Sequence, residues 1–442
     1  MQHSKRSSAA ARSLRTTIQS RCVQKDQTEP MTRIVVLGGS SVSSPQLASA
    51  LSEWAVTAGE RIELVLAGRS THKLSTVASA CRDVVAESGM VTVDVATDMR
   101  AGLAGADIVI NQVRVGGLDG RVFDEGFPWE LGLPGEETVG PGGFSLACRT
   151  IPVVRDLFTA CASVAPDALV INLTNPAGIV HQVAARTTSL RVLTLCDSPA
   201  ALIERAARLV GIDPASVRPG YIGTNHAGWL TGLWRDGENL LPAALDRAHE
   251  ISPGIDPRVI SWLGAVPNPY LRFFYHPDQQ LALQQAKGIT RAEELRTWEA
   301  GVLSAYESGG DPRQAAATRQ ALWYKICVLP VIAALVTQSE LTLVVNVTND
   351  SLFPSLPAAA TVELTAKIGS EGTVTPLPVD PLASDASALL AANAAYECLT
   401  VDAVLGGDRA AKIRALAANP LIPSIAVADK GVDLIEARWA AS

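Results

Sequence analysis

The sequence lacks an unbroken apolar stretch of the about 20 residues needed to cross a bilayer; residues 326–336 come nearest, and they are short and contain Pro330. Paired-cysteine motifs are also missing. The seven cysteines (Cys22, Cys81, Cys148, Cys161, Cys196, Cys327 and Cys398) are scattered and odd in number, which argues against a disulfide framework and against a structural zinc site. Basic charge is not in excess. Against 44 Asp and Glu stand 37 Lys and Arg, a net charge of −7, so no nucleic-acid surface is indicated. Charged residues are few at 18%, against 48% hydrophobic, which excludes disorder of the whole chain and supplies one large or two ordinary cores over 442 residues. The expectation is a soluble, cytoplasmic protein that engages neither membrane nor nucleic acid.

Residues 1–30 are rich in Ser and basic residues and have no apolar segment, so they are no secretory signal. They read as a disordered tail or a start-site artefact ahead of Met31, with an organellar transit peptide as the alternative. From there the chain reads as strand, glycine turn, helix: Arg33-Ile34-Val35-Val36-Leu37, then Gly38-Gly39-Ser40-Ser41, then an amphipathic stretch over 46–58, with Ser44 as N-cap and Pro45 as first helical residue. Helix N-termini present unpaired N–H groups and partial positive charge, so a dinucleotide pyrophosphate fits here. The full G-x-G-x-x-G pattern is absent, and a glycine turn of another α/β protein remains open. The next apolar run ends Ala67-Gly68-Arg69-Ser70, with no acid for a ribose hydroxyl. Arg69 could accept the 2′-phosphate of NADP or lie over the adenine of NAD.

Further strands are expected at 91–95, 106–111, 168–172 and 192–195, with helices at 149–165 and 200–210. This alternation predicts a Rossmann-like, doubly wound parallel sheet over 31–200, with ligands at the strands' carboxyl ends. Residues 201–442 predict a mixed α/β catalytic and oligomerisation domain, with long helices at 281–308 and 315–338, strands at 341–347 and 360–368, and closing helices at 386–399 and 409–417.

Several words then stand in a telling order. They are Gly38-Gly39-Ser40, Asn111-Gln112-Val113-Arg114-Val115-Gly116-Gly117, and Gly135-Glu136-Glu137-Thr138-Val139-Gly140-Pro141-Gly142-Gly143-Phe144. There follow Asn172-Leu173-Thr174-Asn175-Pro176, Leu195-Cys196-Asp197-Ser198-Pro199, Thr224-Asn225-His226-Ala227-Gly228-Trp229 and Asn268-Pro269-Tyr270-Leu271-Arg272. In this order the chain resembles glycoside hydrolase family 4, the NAD- and metal-dependent 6-phospho-glucosidases. The Asn172–Pro176 word alone would also suit a lactate or malate dehydrogenase, but the chain runs on for over 200 residues past His226.

Read without the resemblance, Cys196 is a small buried hydrophobe and His226 a satisfied polar residue, and a thiolate with an imidazole would suggest zinc or iron. The resemblance instead implies that Cys196 and His226 hold a divalent metal, commonly Mn2+. It also implies that Tyr270 is the catalytic base and Asp197 a general acid. A phenol titrates near 10, so a cation must favour the phenolate; Arg291 is the expected source. Arg114 and Asn175, with Arg291, are expected to position the substrate, and Gly38, Gly39, Ser40, Ser41, Arg69, Asn111 and Val113 to bind NAD. Gly140 to Gly143 are expected to let backbone approach a ligand.

Ordinary glycosidases set two carboxylates across the scissile bond, and the NAD-dependent ones do not. The resemblance implies oxidation at C3 of the sugar by NAD+, removal of the acidified C2 proton by Tyr270 with metal assistance, and loss of the aglycone aided by Asp197. Water then adds and the hydride returns. The expected substrate is a small phosphorylated glycoside and the expected assembly a homodimer or homotetramer. One family word is altered: Arg319-Gln320-Ala321-Leu322-Trp323-Tyr324-Lys325 carries larger residues in place of two glycines, and Lys in place of Ser. Ala227 replaces a larger apolar residue, so a wider pocket is expected. The alternatives are a member acting on α-glycosides or unphosphorylated sugars, and a sugar dehydrogenase or NAD-binding sensor on the same fold.

Overall fold

The computed structural model describes residues 31–440, so the expectation for residues 1–30 lies outside the described residues. Six parallel strands form one half of a sheet: β1 (Thr32–Leu37), β2 (Ile62–Ala67), β3 (Val91–Ala96), β4 (Ile108–Asn111), β5 (Leu169–Asn172) and β6 (Arg191–Thr194). Their spatial order is β3-β2-β1-β4-β5-β6, the dinucleotide-fold order in which direction of travel reverses at β1. The central strands β1, β4 and β5 are near-continuous apolar runs, buried on both faces, whereas the edge strand β3 alternates, with Thr92 and Asp94 exposed. Alternate residues go to opposite sides: Ile34, Val36, Leu64, Leu66 and Ile110 enter one core, and Val35, Leu37, Val65 and Val109 the other.

Past β6 the sheet continues antiparallel through β7 (Arg218–Thr224), β8 (Ala227–Arg235), β9 (Glu238–Asn239), β10 (Val266–Pro267), β11 (Leu341–Thr348), β12 (Thr361–Ile368) and β13 (Val374–Pro376). The join is narrow, Asn346 of β11 pairing with Thr194 of β6. One hydrophobic core runs from Ile34 to Cys398 across it.

The helices that shape the site are α1 (Ser44–Ala58), α2 (Thr71–Val85), α3 (Gly117–Gly126), α4 (Gly140–Val164), α5 (Ala177–Thr187), α6 (Asp197–Leu209), α7 (Pro277–Lys287), α8 (Arg291–Glu307) and α9 (Ser384–Gly406). Several expectations need correction. The N-cap of α1 is Ser43; Ser44 lies inside the helix, and its hydroxyl bonds Gly39 O at 3.0 Å. The helix expected at 149–165 begins at Gly140, and Gly140–Gly143 are its first turn. A Cβ on Gly142 would lie 2.0 Å from Glu136 O, and one on Gly143 2.5 Å from Thr138 O, so these glycines let α4 seat the preceding loop. The single helix expected at 281–308 is two. Gly288 (φ +72°) ends α7, and Thr290 with Glu293 forms a capping box that starts α8. The helix expected at 315–338 is broken as well, with a π-helical segment Tyr324–Val328 before the helix Leu329–Val336.

The closing helix expected at 386–399 is α9, which extends beyond those bounds at both ends and is long and apolar enough to cross a membrane by composition; half of its most apolar window is buried. It packs beside α4 and α5 and carries Asn393 and Glu397 into the interior, the behaviour of a core helix.

Candidate active site

The carboxyl ends of the parallel strands open into a cavity of about 1210 Å³, lined at one end by Gly38, Ser40, Ser41, Gly68 and Arg69 and at the other by Cys196, Asp197, His226 and Tyr270. Gly38 (φ +85°) turns the chain off β1, and a Cβ there would meet Gln112 O at 2.9 Å. Only glycine therefore lets the turn after β1 lie against the turn after β4, which is the crevice between the diverging halves of the sheet.

Other predicted residues divide by placement. Val113, Arg114, Asn175 and Arg291 line the cavity. Asn111 and Gly39 do not. Asn111 is fully buried, donating to Asn172 Oδ1 at 2.8 Å, and Gly39 is packed against Leu66, whose Cα would lie 2.8 Å from an added Cβ. Both support the turns that line the site. Arg291 is exposed and paired with Glu294 at 2.9 Å, so its charge is already engaged at the rim. Arg114 is paired with Glu137, and Arg121 bonds Glu125 at 2.6 Å and Glu137 at 2.9 Å. Burial and neighbouring Arg121 pull the Arg114 guanidinium down to about 10, so it stays charged at neutral pH.

The thiol of Cys196, which leads into α6, and Nε2 of His226, in the tight turn between β7 and β8, are 3.4 Å apart. His226 adopts φ +63°, an uncommon conformation that turns the imidazole inward. Its ring lies flat on Tyr270, centroids 3.8 Å apart and planes 3° apart. Asn268 ties these pieces together: its Oδ1 accepts from Tyr270 N at 3.2 Å, and its amide donates to Ser198 Oγ at 2.8 Å, two residues beyond Cys196.

Thr138, which no reading of single residues marked out, sets the tautomer of His226. Its hydroxyl donates to Glu136 Oε2 at 3.2 Å, because a carboxylate only accepts. It must therefore receive its other bond, to Nδ1 of His226, from an N–H. The free lone pair then sits on Nε2, facing Cys196. The sequence signal was the Gly135-Glu136-Glu137-Thr138 word, matched but left without a role.

Electrostatics suit a cation here. Burial lowers His226 to about 3, leaving a neutral imidazole, while burial and then Glu363 and Asp197 push the Cys196 thiol well up. Tyr270 is pushed up by burial, Glu136 and Cys196, with Arg121 opposing. Arg121, not Arg291, supplies the nearby positive charge, and Arg272 adds a guanidinium 5.7 Å from the phenol ring. Asp197 is raised by burial, against Arg319 and Arg205. Among the described residues, no third His, Cys, Asp or Glu joins Cys196 and His226 as a metal cluster. The two converging donors, one with its lone pair fixed toward the other, fit a divalent ion that takes its remaining ligands from substrate or water.

Arg319, the unaltered first residue of the altered word, was given no role from sequence. Its guanidinium is 5.4 Å from each of the Trp298 and Trp323 rings, and among the described residues it has no carboxylate within ion-pair distance. It is a cation lining the cavity that feels the Asp197 carboxylate at longer range without forming an ion pair with it.

Comparison with known proteins gives the family and the fold. A model described as family 4 glycosyl hydrolase matches residues 33–212, and the model of that family's C-terminal domain matches residues 221–422. The probable 6-phospho-beta-glucosidase of Bacillus subtilis is 26% identical over 431 residues, covering 92% of this chain and 96% of its own. The phospho-alpha-glucosidase PagL of Clostridium acetobutylicum is 27% identical over 372 residues, covering 77% and 83%. Among solved structures, the 6-phospho-beta glucosidase of Thermotoga maritima with NAD and glucose-6-phosphate is similar with a TM-score of 0.85 at 25% identity, over 93% of this chain and 99% of that one.

Proposed function

The chain belongs to family 4 of the glycosyl hydrolases, and from that premise we propose that it hydrolyses 6-phosphorylated glucosides, β-linked ones foremost, using a bound nicotinamide dinucleotide and a divalent metal, Mn2+ by family resemblance. The observation that carries this reading is the convergence of Cys196, His226 and Tyr270 at the far end of the cavity that begins at the Gly38 turn. When bound, the dinucleotide supplies reversible hydride acceptance and the metal supplies Lewis acidity.

The chain's own residues do the rest. Cys196 Sγ and His226 Nε2 would hold the metal, and the bond from Nδ1 to Thr138 keeps that imidazole in the ligating tautomer. Tyr270 takes a proton from the sugar carbon beside the oxidised one; its ring is held by the His226 stack and its backbone N–H by Asn268. Asp197, half-buried with its carboxyl raised by burial, is the proton donor for the departing aglycone oxygen. Arg319, unpaired between two indoles, meets the substrate's anionic group, and Arg114 and Asn175 line the same space. The six described cysteines are free, which accords with a reducing cytoplasm. A homodimer or homotetramer is the assembly in keeping with the family resemblance.

The test is release of a chromogenic aglycone from both anomers, with and without a 6-phosphate. Release that requires both dinucleotide and Mn2+, with deuterium from D2O entering at C2, is the expected outcome. Release without dinucleotide, or product free of deuterium at C2, would overturn the mechanism. Oxidised sugar accumulating with stoichiometric NADH would favour a dehydrogenase instead.

A further inference from the structure

The cavity end that receives the adenosine half of the dinucleotide is unusual in what it offers a ribose. In a doubly wound sheet the hydroxyls of that ribose are met by an acid at the end of the second strand. Here β2 ends in Ala67, which is buried, and Gly68, neither of which has a side-chain acceptor. The end of β3 does carry an acid, Asp98, but its carboxylate caps the helix Met99–Leu103, accepting from Ala101 N at 2.7 Å.

Basic and hydroxyl groups take the acid's place. Arg69 lines the cavity, and among the described residues its guanidinium has no carboxylate within ion-pair distance. Lys73, one turn into α2, is by contrast neutralised by Glu299. Ser40 Oγ lies against Gly68, 3.6 Å from where a Cβ would stand, and so faces the same corner. The hydroxyl of Ser70, at the N-cap of α2, makes no capping bond, and the first turn of α2 has no acid. An unpaired guanidinium on the same cavity wall as the Ser40 hydroxyl suits a phosphate, which Arg can grip with two parallel N–H bonds. A 2′-hydroxyl would leave that charge unanswered.

We propose that this chain selects the 2′-phosphorylated dinucleotide, NADP+, over NAD+, and that Arg69 is the residue that decides it. The inference rests on the dinucleotide reading of the cavity, and it differs from the NAD found in the Thermotoga maritima enzyme.

Calorimetric titration of the full chain with NADP+ and with NAD+, without sugar, tests it. The expected result is NADP+ binding tighter by about tenfold or more, as one charge-assisted contact allows. Arg69→Ala should abolish that preference while leaving NAD+ affinity nearly unchanged, and Arg69→Asp should invert it. Equal or tighter binding of NAD+ by the unaltered protein would overturn the proposal, as would equal losses for both nucleotides in Arg69→Ala. Because heat of binding is read without turnover, a protein that binds NADP+ yet releases no aglycone refutes the hydrolase reading and leaves this one standing. Failure to bind either nucleotide refutes both.

Discussion

His226 and Tyr270 form a parallel ring pair, 3.8 Å between centroids. One ring's Nε2 faces the Cys196 thiol at 3.4 Å, and the other carries the hydroxyl assigned to proton removal. Ligand and base are thus held as one unit, so the position of the phenol depends on that of the imidazole.

Tyr270→Phe keeps the stack and removes only the hydroxyl. The expected consequence is a fall in kcat of about 10²–10⁴-fold, the range for loss of a general base, with dinucleotide and metal affinities retained. Exchange of the C2 proton with solvent should disappear as well. Retained exchange in this variant would assign the base elsewhere.

Metal affinity should follow one proton. The Cys196 thiol, pushed up by burial, must ionise to ligate, whereas His226, lowered to about 3, is already neutral. Apparent Mn2+ affinity should therefore rise about tenfold per pH unit between about pH 6 and 8, and Cys196→Ser should flatten the slope. Titration in buffers of different ionisation enthalpy counts the released proton directly; a count of two would mean that the imidazole also starts out charged.

Thr138→Val removes the acceptor that fixes the His226 tautomer while nearly preserving shape. Loss of such a supporting partner typically weakens metal binding about 10–100-fold, and the same loss is expected here with dinucleotide binding spared. An unchanged metal affinity would show that the Nδ1 bond does not orient the ligand.

Glu397 of α9 is wholly buried, with its carboxyl raised to about 8 by burial and by Glu363. Between the ordinary carboxyl value of 4.5 and about 8, the folded chain keeps a proton that the unfolded chain has released. Stability attributable to this group therefore falls as pH rises through that window. Glu397→Gln, which cannot ionise, should raise the melting temperature near pH 9 by more than near pH 5. Equal shifts at both pH values would mean that Glu397 is not proton-linked to folding.

The parallel half of the sheet was legible because its central strands are buried on both faces and so appear as apolar runs, and its edge strand β3 as an alternating one. The Gly38 turn, Cys196, His226 and Tyr270 were legible as words in a fixed order. Less visible were features that depend on partners distant in the chain. Arg291 and Arg319 are both arginines near helical segments, but Glu294 three residues away neutralises the first, and no described carboxylate reaches the second. Gly142 and Gly143 suggested ligand approach, and the structure gives them to the carbonyls of Glu136 and Thr138. The break at Gly288 was overridden by the run of helix-forming residues on either side of it, 281–287 and Arg291–Glu307.

What the chain determined by itself is local: hydrophobic periodicity set strands and helices, and the order of short words set the kind of chemistry. Folding alone decided which groups share a space. Cys196 and His226 become neighbours because the start of α6 meets the β7–β8 turn, and Thr138 reaches His226 from 88 positions away. Charge and proton affinity follow from such neighbours and from exclusion of water, and both come into being only once the interior has closed.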